Sequence, residues 1–177
     1  GDKAGVYEVK ATSTGLSGSP VIFTSTATIA AAASIAHTTG DRQSGQVFPT
    51  LASPFVVTVL NADGDPVSGV AVQFAVALTP TGATGALLSD TLVLTDASGR
   101  ASSRLTLGTK VGEYTVTATS GTLTGSPVAF TATAVAGRAI YLLLAAGDNQ
   151  TGLAANALSE PLTVAVTDSF GNAKQGV

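Results

Sequence analysis

The chain has no cysteine, methionine or tryptophan and a single histidine in 177 residues. Without cysteine there are no disulfides and no thiolate metal sites. An extracellular home stays open, because disulfides become essential mainly in scaffolds too small to build a core. His37 is the lone histidine, so a zinc site built on several histidines or on cysteines cannot be assembled from this chain, and no catalytic role is expected of this single strand residue. Charge is scarce at 11% of residues, against the usual quarter. With a net charge of −3, a nucleic-acid partner, which needs a basic patch, is not expected. No apolar run is long enough to predict a membrane-spanning helix. No signal peptide is visible, and the lack of methionine suggests a processed or excised chain.

What is abundant is threonine, serine, alanine, valine and glycine, a mixture that suits pleated, half-buried strands joined by turns. The chain also repeats itself. Residues 1–70 return as 108–177 at a constant offset of 107, with about 29 of the 70 pairs identical. Gly1, Lys3, Gly5, Tyr7, Val9 and Ala11 come back as Gly108, Lys110, Gly112, Tyr114, Val116 and Ala118. Gly40, Asp41, Gln43 and Gly45 come back as Gly147, Asp148, Gln150 and Gly152. A fixed long period is the signature of a tandem array. The expected organisation is therefore one whole unit, residues 34–136, between two partial ones. Residues 1–33 would be the C-terminal strands of a preceding unit and 137–177 the N-terminal strands of a following one.

Positions that stay apolar between the copies mark the core. Tyr7, Val9 and Ala11 keep their character while Val6, Glu8 and Lys10 drift, a period of two that predicts a strand with one face buried. A second strand follows at Pro20, with Val21 and Phe23 inward. Residues 28–34 read as a short extended linker, since seven residues cannot sustain an isolated helix. Within 34–136 a first strand spans roughly 33–38, followed by the turn at Gly40 and a long polar loop. Phe55, Val57 and Val59 face inward on the next strand, matched by Leu162, Val164 and Val166. Val70, Val72, Phe74 and Val76 alternate along another, and a short strand is expected near Leu92. Ala101, Ser103, Leu105 and Leu107 face inward while Arg100 and Arg104 face out. Strands around Tyr114 and over 127–133 close the unit. About seven short strands with frequent turns and no helical period predict an all-β, immunoglobulin-like antiparallel sandwich. Tyr114 opens the penultimate strand, where such sandwiches often tie a tyrosine hydroxyl back to nearby backbone.

Three segments carry a family likeness: Val57 through Phe74, Thr95 through Ala101, and Gly112 through Thr119. Together they resemble the bacterial Ig-like repeats of the invasin/intimin type, in that family's order and spacing. The resemblance implies an Ig-like building block, used in tandem in bacterial surface adhesins, outer-membrane-anchored stalks and other large extracellular proteins. It carries over no ligand site, because receptor binding in such adhesins usually belongs to separate terminal domains.

Motifs for chemistry are weak. Asn61, Asp63 and Asp65 open with calcium-loop spacing, but Pro66 replaces the required glycine and Val72 the bidentate glutamate. The second copy reads Asp168, Phe170 and Asn172, so a turn is the expected role. Junctional calcium, held by loops carrying Asp41 or Asp148, is the remaining metal alternative. Asn149 heads a glycosylation sequon whose counterpart is Arg42, which favours coincidence. The expectation is a non-enzymatic extracellular or cell-surface module without catalytic, cofactor or metal residues, giving a stalk, adhesin shaft or filament its reach. The alternatives are an adhesive module that holds a glycan or host protein by end loops or an edge strand, and an accessory domain of a secreted enzyme. The expected partners are neighbouring repeats or identical chains in a fibre, with host receptors or glycans reached only through other domains. No membrane insertion is expected of this segment. The apolar faces of the two partial units, Val9, Val21 and Phe23 at one end and Leu162, Val164 and Val166 at the other, suggest a segment of a longer array.

Overall fold

A computed structural model describes residues 5–28 and 31–176. Every regular element among them is a strand. In chain order these are β1 (Gly5–Ala11), β2 (Val21–Ala27), β3 (Ala32–Thr39), β4 (Gln43–Gln46), β5 (Phe55–Asn61), β6 (Ala71–Leu78) and β7 (Leu87–Leu88). They continue with β8 (Leu92–Leu94), β9 (Arg100–Ser103), β10 (Leu105–Thr106), β11 (Gly112–Thr119), β12 (Val128–Val135), β13 (Tyr141–Ala146) and β14 (Thr163–Thr167). None of the described residues forms a helix long and apolar enough to cross a membrane.

Strands β3 to β12 build the central sandwich. One sheet has the order β3-β5-β9, and the facing sheet β4-β12-β11-β6-β8. Past Arg104, β10 runs on from β9 and pairs with β7 through Leu105 and Leu88. All these pairings are antiparallel except β4 on β12, where Gln43 to Gln46 lie parallel to Ala132 to Val135. Inner positions alternate with period two: Phe55, Val57 and Val59 from one sheet meet Val72, Phe74, Tyr114, Val116 and Phe130 from the other, all buried. Ala101, Ser103, Leu105 and Leu107 are buried and the arginines beside them exposed, as the alternation predicts.

Two expectations need correction. The polar loop after Gly40 contains a strand, β4. Gln43-Ser-Gly-Gln has no apolar alternation to announce it. It forms because Asp41 anchors the crossing, its Oδ1 accepting from Thr131 N (2.7 Å) and Thr131 Oγ1 (3.2 Å) on β12. The linker expected over 28–34 is also shorter, since Ala32 to Ser34 already belong to β3; residues 29 and 30 lie outside the described residues.

The echo at Gly40 has a physical cause. A β-carbon there would overlap the carbonyl of Pro54, and one at Gly147 that of Pro161, both glycines having positive φ. The following glutamine closes each loop. Gln43 donates to Gly40 O (2.7 Å) and Ser53 O (3.0 Å) and accepts from Ser53 N (3.1 Å). Gln150 repeats this with Gly147 O, Glu160 O and Glu160 N.

The tyrosine expectation holds. Tyr114 is fully buried, and its hydroxyl donates to the carbonyl of Lys110 at 2.8 Å. Burial pushes the phenol's pKa up, partly opposed by the backbone bonds at Lys110 and Gly108. Replacing it by phenylalanine leaves a part-buried carbonyl without its donor, which costs on the order of 1–2 kcal/mol. Urea unfolding of Tyr114→Phe should show that loss with an unchanged m-value; an unchanged midpoint would mean the hydrogen bond contributes nothing.

Outside the sandwich, β1–β2 and β13–β14 are antiparallel hairpins. Their large apolar side chains are exposed: Phe23 at 60%, Leu142 at 68%, Leu162 at 75%.

Candidate functional site: the joint after β12

A set of side-chain hydrogen bonds spanning some thirty to sixty positions of sequence clusters where the chain leaves β12 and enters the β13–β14 hairpin. Their centre is Asp168, just past β14 and 1% exposed. Its Oδ2 accepts from Gly137 N at 2.9 Å and Asn172 Nδ2 at 2.9 Å. Its Oδ1 accepts from Phe170 N and Asn172 N, each at 2.9 Å, and from Asn172 Nδ2 at 3.2 Å. One oxygen thus shapes the turn over 168–172, a side-chain mimic of backbone pairing. The other oxygen reaches back to the connecting segment. Burial pushes the Asp168 carboxyl up, but the donors from Asn172, Gly137 and Phe170 outweigh it and hold the pKa at about 2.

The turn so shaped then grips the central sandwich. Asn172 donates to Thr109 O (2.9 Å) and accepts from Val111 N (3.3 Å). Lys110 Nζ donates to Phe170 O at 3.0 Å, while the carbonyl of the same Lys110 holds the Tyr114 hydroxyl. Phe170 packs against the core's edge, its ring centroid 5.5 Å from that of Phe48. Lys174 Nζ donates to Ala136 O at 3.3 Å. Bonds to backbone carbonyls and amides from both sides leave the joint few ways to swivel.

The residues singled out in the sequence take the following places. Asn61 sits at the end of β5 and makes the same kind of turn: its Oδ1 accepts from Asp63 N (2.9 Å) and Asp65 N (2.8 Å). Its neutral amide stands where Asp168 has a carboxylate, and Asp63 stands where Phe170 meets Phe48. Asp41 lies beside the middle of β12, its carboxylate bonded to Thr131, which keeps its pKa low against the opposing effect of burial. Asp148 bonds to its neighbour Asn149 through both oxygens. Neither is among the joint's contacts, and no cluster of three metal-ligating side chains occurs among the described residues. His37 is exposed on β3 with its ring 4.7 Å from Phe130, a packing role. Sequence reasoning passed over Phe48, Lys110 and the contacts of Phe170 and Asn172 with the central sandwich. The available signal was Phe170, an apolar ring in an otherwise polar turn.

No family model and no curated protein matches the chain. Solved structures do. The D00-D0 domain of intimin is 22% identical over 73% of this chain and 64% of that one, with a TM-score of 0.46. The D0-D1 domain of intimin is 21% identical over 59% and 48%, with a TM-score of 0.43. Domains 4–9 of the surface layer protein SbsC are 20% identical over 98% of this chain and 25% of that one, with a TM-score of 0.44. The chain spans less than two thirds of each of these structures. Its sandwich is defined by its own strand pairing and core.

Proposed function

We propose that the chain is a non-enzymatic structural repeat module of a long bacterial extracellular or cell-surface protein, a stalk, adhesin shaft or filament that gives reach and stiffness. The joint is the observation that carries this reading. A tether would need only an open, solvated linker, whereas here a buried carboxylate, an asparagine, a lysine and a tilted pair of phenylalanine rings tie successive units to one another. Fixed joints turn a row of sandwiches into a rod. The partners in this reading are neighbouring repeats of the same polypeptide or identical chains in a fibre, and no cofactor enters it.

Electron microscopy of the native material tests it. The expected image is a beaded filament or shaft with an axial spacing of roughly 35–45 Å per unit, as strands of 8–10 residues at about 3.3 Å each plus loops give. Compact isolated particles would overturn it.

A further inference from the structure

We propose that the central sandwich is built to bear tension along the row of repeats. A parallel seam bonds the strands by which the chain enters the sandwich directly to the strand by which it leaves. This rests on the reading of the chain as part of a stalk or filament, and it names the contact that resists its being pulled apart.

The seam follows from the order of the strands. The chain enters at Ala32, runs through β3 and β4 to Gln46, and leaves along β12 from Val128 to Val135. β4 and β12 are parallel neighbours, Gln43 to Gln46 facing Ala132 to Val135. β3 adds a parallel bridge between Ser34 and Thr124, with Ile35 N donating to Thr124 O (2.9 Å) and Thr124 N to Ala33 O (3.0 Å). Asp41 joins the seam midway, accepting from Thr131 N and Oγ1. Val47 N closes the far end on Val135 O at 2.9 Å. Tension along the chain pulls Ala32 one way and Val135 the other. Because the bonded strands run in the same direction, that pull slides them past one another instead of prising them apart. Parallel hydrogen bonds are evenly spaced along the strands, so sliding strains them together. The load crosses from β4 to β12 without running through the strands between them in sequence.

The residues that fix the seam belong to the repeat. Asp41, Gly45 and Thr131 recur at the offset of 107, as Asp148, Gly152 and Thr24. Gly45 lets β4 lie close on the core: a β-carbon there would press on the side chains of Leu51 and Leu107, at 3.0 and 3.2 Å. Past the seam the chain runs through Ala136 and Gly137, which Lys174 and Asp168 hold in the joint. Tension therefore leaves the seam through a fixed contact.

Single-molecule stretching of the 177-residue chain in two directions tests this. The chain has no cysteine, so paired cysteines give unique attachment points. Thr28→Cys with Arg138→Cys, both exposed positions, loads the seam lengthwise. Gln46→Cys with Val135→Cys, also exposed, pulls the matching ends of β4 and β12 apart and opens the seam one bond at a time. The force at yield reports the barrier to unfolding. Lengthwise loading should yield in one main step that releases about 320–360 Å of chain, at about 3.3–3.6 Å per residue. Its force should be several-fold higher than that of the crosswise pair. Asp41→Ala, with circular dichroism confirming the fold, should lower the lengthwise force and leave the crosswise force unchanged, because crosswise opening starts at the far end of β4. A general loss of stability would lower both. Equal forces in the two directions, or an Asp41→Ala substitution that changes both forces alike or neither, would overturn the inference. Its failure is distinct from that of the proposed function: native filaments with equal forces in the two directions would sink the seam alone, whereas compact native particles would sink the rod.

Discussion

Phe130→Ala is expected to lower the unfolding free energy of the central sandwich by about 3–5 kcal/mol, the range for emptying a buried phenylalanine site. Phe130 lies on β12 with no exposed surface, and its ring contacts those of Phe55 and His37 in the opposite sheet. It therefore bridges the two layers. Collapse around the vacated space is restricted, because β12 is pinned by β11 on one side and by β4 on the other. Against a typical stability of about 5–15 kcal/mol, this is a large share. A domain of this size should lose on the order of 15–30 °C in melting temperature. Chemical denaturation should show a lower midpoint at an unchanged m-value. Phe23→Ala provides the internal control, since Phe23, in the same Val-x-Phe-Thr segment, is 60% exposed. That substitution should move the central sandwich by less than about 0.5 kcal/mol. Equal effects at the two sites would contradict the assignment of Phe130 as the bridge between sheets.

The contrast between these two phenylalanines shows what was legible in the chain. Period two exposed the inner faces of β5, β9 and β11, because strands with one buried face must alternate. The comparison of copies marked the same positions a second time. It could not say which copy is covered, since Phe23 and Phe130 sit in near-identical sequence and differ only in what packs on them. β4 was illegible for a related reason. Its pairing with β12 is imposed by tertiary structure through Asp41 and Thr131, ninety positions apart in the chain. β7 and β10 are two residues each, too short for any period to register.

The joint was half visible. The 168–172 segment could be read as a turn from its Asp, Gly and Asn, and its poor match to a calcium loop was evident. Its grip on Thr109, Lys110 and Val111 depends on how the segment past β14 meets the loop before β11, which local sequence does not encode. Phe170 was the clue in the sequence. An apolar ring within a polar turn, where the other copy has Asp63, asks for a partner, and Phe48 supplies it.

Asp168→Ala should release the joint while leaving the central sandwich folded. Four donors converge on this carboxylate, three of them backbone amides at Gly137, Phe170 and Asn172. Hydrogen bonds to a charged group contribute about 1.5–3 kcal/mol each, and donors left buried without an acceptor add a desolvation cost. A local loss of roughly 3–5 kcal/mol follows, in the range seen when one partner of a buried charged contact is removed. Hydrogen exchange should report it as lost protection at Gly137, Phe170 and Asn172, and spin labels on β12 and β14 should give a broadened distance distribution. Protection confined to its wild-type values would show that the carboxylate does not hold the joint. Asp168→Asn separates the two oxygens' roles. Asn61 shows that an amide oxygen suffices to shape the turn, so the turn should survive while the bond to Gly137 weakens. Acid gives an independent reading. Because the folded pKa is depressed from 3.8 to about 2, the carboxylate's stabilisation is complete above 3.8 and is lost as pH falls through 2. The wild-type joint should loosen across that window. Asp168→Asn should stay flat across it, which separates Asp168 from Asp41, whose low pKa acts within the central sandwich.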